Sequence, residues 1–174
     1  AINDNAVSCR GLDMQDTQGD KAVIDYLRQM GAEVTDHGHA IDVSAKQLKG
    51  CDLDLNATPD ALPMMAALAC FAPGTTRLIN CPQARLKETD RIAVMHTELA
   101  KMGANTEELP DGLIIHQSDL KGAHVDGNDD HRVVMSLAIA ASAAQGETTI
   151  HGAEAAAVTY PQFFESLRMI GGQA

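Results

Sequence analysis

An α/β (α+β) domain assembled from internal repeats is predicted by three features of the sequence. Leu27-Arg-Gln-Met-Gly-Ala32 recurs 72 positions later as Leu99-Ala-Lys-Met-Gly-Ala104, and a weaker copy, Leu167-Arg-Met-Ile-Gly-Gly172, follows after 68 more. Two Ala-rich segments, 61–71 and 133–144, are apolar almost all round, the pattern of helices buried on every side. Short strand-like runs, Ala40-Ile-Asp-Val43 and Gly112-Leu-Ile-Ile-His116, return after the first two repeat copies.

The first amphipathic helix carries Val23, Tyr26, Leu27 and Met30 on one stripe and stops at a glycine, where the chain can turn left-handed. His37-Gly-His39 then reads as an exposed hairpin tip rather than a metal site. Pro59-Asp60 opens the buried helix 61–71, and Gly74-Thr-Thr-Arg-Leu78 leads out of it. After the charged stretch 85–91, a second amphipathic helix places Ile92, Met95, Leu99 and Met102 on one face. Pro110-Asp111-Gly112 is a turn between two strand arms. Asp130-His131-Arg132 opens the buried helix 133–144, and the exit Gly146-Glu-Thr-Thr-Ile150 matches the earlier one at the same offset of 72.

One unit therefore reads buried helix, strand, amphipathic helix, two strands. The chain, one domain over 1–174, holds about two and a half such units. It starts at Ala1 inside a unit whose buried helix is absent, so an N-terminal truncation is expected.

Hydrophobic residues make up 45% of the chain, enough for a core, but with 3% aromatics that core must be built from Ala, Leu, Ile, Val and Met. A formal net charge of −11 speaks against nucleic acid as a partner and requires any anionic ligand to be met by a local basic cluster. Cys9, Cys51, Cys70 and Cys81 lack metal-binding spacing, and thiols of a reduced compartment are expected. The longest apolar run, 61–72, is too short to span a bilayer, and a cytoplasmic location is expected. Asp52-Leu-Asp-Leu-Asn56 begins like a calcium loop but has Ala57 and Pro63 where Gly and Glu are required.

Polar groups stand at three places where a strand gives way to a helix: Pro59-Asp60, Arg85-Leu-Lys-Glu-Thr-Asp-Arg91, and Asn128-Asp-Asp-His-Arg132. Converging helix N-termini make an anion site, and Arg91 and Arg132 would add charge-assisted donors. Asp60 and Glu88 are candidates for general acid–base work if their surroundings move them toward neutrality. Taken singly, each has a plainer reading. Asp60 and Asp130 are helix N-caps, Thr89 or Asp90 caps the next helix, and Arg85, Lys87, Glu88 and Arg91 pair along one helix face.

Together, the Lys-Glu-Thr-Asp-Arg and Asp-His-Arg motifs, with Pro59-Asp60, Gly19-Asp20 and Tyr160-Pro161, resemble the C-terminal part of the 5-enolpyruvylshikimate-3-phosphate synthases over essentially the whole chain. The resemblance implies an enolpyruvyl-transferase-like domain of βαβαββ units, with buried helices and sheets outside. The family has a second domain, and its active site lies in the cleft between the two.

The activity implied is transfer of the enolpyruvyl group of phosphoenolpyruvate to the 5-hydroxyl of shikimate 3-phosphate, with release of phosphate and without metal or organic cofactor. By motif, Asp60 resembles the base for the hydroxyl, Glu88 the proton donor to the methylene, and Lys87 a contact to hydroxyl and adduct. Gln83 takes the place of an amide touching shikimate 3-phosphate, and Arg91, Arg132 and His131 that of the phosphoenolpyruvate clamp. Val158 stands where many members carry a phosphoenolpyruvate-binding lysine. The implied partner is the missing N-terminal domain, without which little turnover is expected. Two rivals are a UDP-N-acetylglucosamine enolpyruvyl transferase and a non-catalytic repeat domain that binds through its sheets.

Overall fold

The computed structural model describes residues 6–45 and 47–172; Ala1, on which the expected truncation turns, lies outside them. Strand β1 (Ala6–Arg10) leads through a 3-10 turn to helix α1 (Val23–Gln29), then to β2 (Glu33–Asp36) and β3 (Ala40–Ser44). β4 (Asp52–Asp54), α2 (Leu62–Ala69), β5 (Thr75–Ile79), α3 (Arg91–Lys101), β6 (Asn105–Leu109) and β7 (Gly112–His116) form the one unit with all six elements among the described residues. β8 (His124–Asp126), α4 (His131–Ala141), β9 (Thr149–His151) and α5 (Phe163–Met169) begin another.

Strand pairing repeats from unit to unit. β4 lies parallel to β5, and β8 to β9, each pair joined through a buried helix. β5 and β6 both run antiparallel to β7, just as β1 and β2 flank β3. The predicted unit omitted the opening strand. Asp52–Asp54 and His124–Asp126 are three residues long with one buried side chain each, Leu53 and Val125, too little to stand out from a loop.

Helices α2, α3 and α4 pack on one another, and the sheets lie outside them. Ile92, Met95, Leu99 and Met102 are fully buried, as is Met30 of the first stripe. The buried helices are shorter than predicted: α2 is preceded by a 3-10 turn, Pro59–Ala61, and α4 ends at Ala141. α2 is enclosed along most of its length, whereas Met135 and Ile139 of α4 are only half-buried. The difference follows from cover: among the described residues the sheet carrying β8 and β9 has two strands, against four around α2. No described helix is long and apolar enough to cross a membrane.

The stops after α1, α3 and α5 fall on Gly31, Gly103 and Gly171, with φ of 93°, 91° and 96°, as the repeated glycine predicts. Gly112 serves another purpose, since a Cβ there would collide with the backbone carbonyl of Leu78 on β5. Gly112→Ala is expected to force β5 and β7 apart at a cost of about 1–3 kcal/mol, seen as a lower urea midpoint. An unchanged midpoint would refute that close approach.

Candidate functional site

Local structure explains why charged side chains converge at the tops of three helices. α4 begins after a turn in which Asn128 and Asp129 both take positive φ, 50° and 56°, a conformation that Asn and Asp tolerate better than most residues. Asp130 then caps the helix, its Oδ1 accepting from the backbone N–H of Arg132 at 2.8 Å and of Val133 at 3.4 Å. Asp90 caps α3 in the same way through the N–H of Ala93, 3.0 Å away. Asp60 does not act as a cap: it sits inside the 3-10 turn with its carboxylate directed at cations from other segments.

Arg91 is the hub. Its side chain is 1% exposed, and four of its five N–H groups donate to carboxylates. Nε and Nη2 reach Asp130 Oδ2 and Oδ1 at 2.7 and 3.2 Å, Nη1 reaches Asp60 at 2.8 Å, and Nη2 reaches Glu88 at 2.7 Å. Burial works against the guanidinium's charge. The hydrogen bonds and charge of Asp130, with Glu88 and Asp60, outweigh it and raise the pKa above its ordinary value.

Around Asp60 the signs reverse. Lys87 Nζ is 3.0 Å from its Oδ1, and Arg132 Nη2 is 3.4 Å from its Oδ2. Burial pulls the Asp60 carboxyl upward, but the Lys87 hydrogen bond and the charges of Arg132, Lys87 and Arg91 pull it below its ordinary value. Asp60 is therefore held ionised and away from neutrality, opposite to the tuning that the acid–base reading required. Three carboxylates (Asp60, Glu88, Asp130) face three cations (Lys87, Arg91, Arg132), a self-balanced cluster within an acidic chain.

His131 and Arg132 complete the rim. His131 Nδ1 lies 3.9 Å from Glu88 Oε1, and Arg132, about a third exposed, also approaches Asp20 at 3.8 Å. Gln83 stands apart from the cluster, bonded to Asn56 on the loop that leads to Asp60. Val158 is 77% exposed at the end of a 3-10 turn, Ala153–Val158.

Of the pairs expected along one helix face among Arg85, Lys87, Glu88 and Arg91, Glu88–Arg91 forms, but ahead of the helix rather than along it. Residues 82–86 make a 3-10 turn, and α3 starts only at Arg91. Arg85 instead reaches across to the β6–β7 hairpin, donating to Glu108, Leu109 O and Pro110 O as well as to Asp90. Asp130 gave only a capping signal in the sequence, yet it is the most buried acid of the site, at 0% exposure. The signal for its second role is that a buried arginine needs a buried counter-ion.

Among the described residues no group of three or more His, Cys, Asp or Glu is placed to hold a metal ion. What the arrangement offers is a carboxylate kept charged by a lysine and two guanidiniums, one of them about a third exposed, and a second carboxylate half-exposed beside a histidine.

Comparison with known proteins gives a consistent neighbourhood. The family profile of EPSP synthase (3-phosphoshikimate 1-carboxyvinyltransferase) matches residues 1–167. A 3-phosphoshikimate 1-carboxyvinyltransferase of Ruminiclostridium cellulolyticum is 58% identical over 173 residues, covering 99% of this chain and 41% of that protein. Its counterpart in Acetivibrio thermocellus is 52% identical over 171 residues, 98% of this chain and 40% of that protein. Among solved structures, EPSP synthase from Acinetobacter baumannii superposes with a TM-score of 0.90 at 30% identity, over 99% of this chain and 43% of that one. The chain thus spans about two fifths of the length of the curated relatives it matches.

Proposed function

The chain belongs to the EPSP synthase (3-phosphoshikimate 1-carboxyvinyltransferase) family, and on that premise we propose that it is the C-terminal half of such an enzyme. The reaction is transfer of the enolpyruvyl group of phosphoenolpyruvate to the 5-hydroxyl of shikimate 3-phosphate, with release of phosphate. Its partner is the N-terminal domain that supplies the other wall of the cleft.

One observation carries this reading: Asp60 and Glu88, from different segments, are bridged by the buried guanidinium of Arg91, with Lys87 and Arg132 beside Asp60. Asp60, held ionised, takes the proton of the attacking hydroxyl. Glu88, 46% exposed at the rim, takes up a proton from solvent as it leaves Arg91 and passes it to the methylene carbon of phosphoenolpyruvate. The hydroxyl oxygen then bonds to the neighbouring carbon, giving a tetrahedral adduct. Elimination breaks that carbon's bond to the phosphate oxygen, the departing phosphate takes the proton held by Asp60, and a methyl proton returns to Glu88. Arg132, the more open guanidinium, receives the phosphoenolpyruvate anion, and Arg91 contributes its remaining N–H. With Val158 at the usual lysine position, these two arginines and His131 carry the clamp on this side of the cleft.

Phosphate release from the two substrates is the test, with this chain alone and with an N-terminal domain of the family added. Release is expected only from the mixture. A mixture shown by sedimentation to associate, yet releasing no phosphate, overturns the reading.

A further inference from the structure

The surroundings of Gln83 decide which of its polar atoms is open to a ligand. Its Nε2 lies 3.2 Å from the backbone carbonyl oxygen of Asn56 and 3.0 Å from Asn56 Oδ1. A backbone carbonyl can only accept, so the Gln83 atom facing it must be the amide nitrogen, and the amide's orientation is fixed by that contact. Both acceptors belong to one residue and both lie within hydrogen-bond distance of Nε2. The group left for a ligand is the carbonyl oxygen, Oε1.

Asn56 is itself held in place. Its N–H donates to Asp54 Oδ1 at 2.9 Å, and Asn80 Nδ2 donates to the other oxygen of Asp54 at 2.8 Å. The Asn56 N–H, and after it the Asn80 amide, lower the pKa of the Asp54 carboxyl, so it remains an acceptor at neutral pH. This chain of contacts runs from the end of β4 to the 3-10 turn before the Lys-Glu-Thr-Asp-Arg stretch.

We propose that Asn56 is a positioning residue which, by accepting from Gln83 Nε2 through both its backbone carbonyl and its side chain, commits the Gln83 side chain to accept a hydrogen bond from a hydroxyl of the acceptor substrate. The inference rests on the function proposed above and adds a specificity rule to it. A ketone, ether or carboxylate at that position of the ring would meet Oε1 with no proton between them, leaving an acceptor unpaired.

The experiment uses the enzyme assembled from this chain and an N-terminal domain of the family. Gln83→Ala is expected to raise KM for shikimate 3-phosphate about 2–12-fold, the loss of one net hydrogen bond, and Asn56→Ala, which removes the side-chain acceptor but keeps the backbone carbonyl, about 2–5-fold. KM for phosphoenolpyruvate should stay within about twofold, and the double variant should be no worse than Gln83→Ala. Asn56→Asp keeps both acceptors and recovers most of the loss. An unchanged KM for shikimate 3-phosphate in Asn56→Ala, or effects that multiply in the double variant, overturns the inference while the unmodified enzyme still turns over. If the unmodified enzyme releases no phosphate, the functional reading has failed, and Gln83 is read directly by NMR of this chain. Slowed exchange of its side-chain N–H protons that persists in Asn56→Ala then overturns the positioning role.

Discussion

Arg91→Met is expected to lower the unfolding free energy of this chain by about 3–5 kcal/mol, the cost of breaking a buried ion pair by removing one partner. Methionine has a similar length, so the loss is electrostatic rather than a cavity. The effect comes from what remains: Asp130, with no exposed surface, keeps its cap bonds to α4 but loses two charge-assisted donors, while Asp60 and Glu88 each lose one. The cluster then holds three carboxylates against two cations. Arg91→Lys is expected to recover little, because one ammonium cannot reproduce a planar fork that serves three acids at once. Urea unfolding of the three proteins measures this. A loss below about 1 kcal/mol, typical of an exposed ion pair, would show that water reaches the guanidinium.

That cluster also marks how far the sequence could be read. The repeat was legible because glycine must stop each amphipathic helix and because matched exits recur at an offset of 72. The same offset relates Asp60 to Arg132, and in the folded chain Arg132 Nη1 faces Asp60 O at 3.4 Å. Equivalent positions of two repeats thus meet at the rim of the site, where the packing of α2 against α4 brings them together. Arg85 was not legible. Its acceptors, Glu108, Leu109 and Pro110, lie on a hairpin whose approach depends on β5 pairing with β7, a register that no local pattern specifies. β4 and β8 escaped for a related reason: a three-residue strand has no period to detect, and its partner is the strand beyond the next helix. Asp60 was legible as an acid near a helix start, but whether it caps that helix or faces cations depends on where Lys87, Arg91 and Arg132 arrive.

The placement of those cations sets the second large effect, on the assembled enzyme. Asp60→Asn and Glu88→Gln are each expected to reduce kcat by about 10²–10⁴-fold, the usual contribution of a positioned acid or base, but by routes that can be told apart. Glu88→Gln removes a proton donor at the rim and leaves Arg91 bonded to Asp130 and Asp60, so stability should change little. Asp60→Asn removes the charge that Lys87, Arg91 and Arg132 share, so a loss of stability should accompany the loss of rate. The pH dependence of stability follows from the depressed pKa of Asp60 in the folded state. Its stabilisation is present above the unfolded carboxyl value of about 3.9 and is lost as pH falls through the lower folded value. As a base it is then fully ionised at neutrality, and kcat/KM should show no acid limb from this group between about pH 5 and 8. An acid limb near neutrality that moves in Asp60→Glu would mean that the three cations do not hold the base charged in the free enzyme.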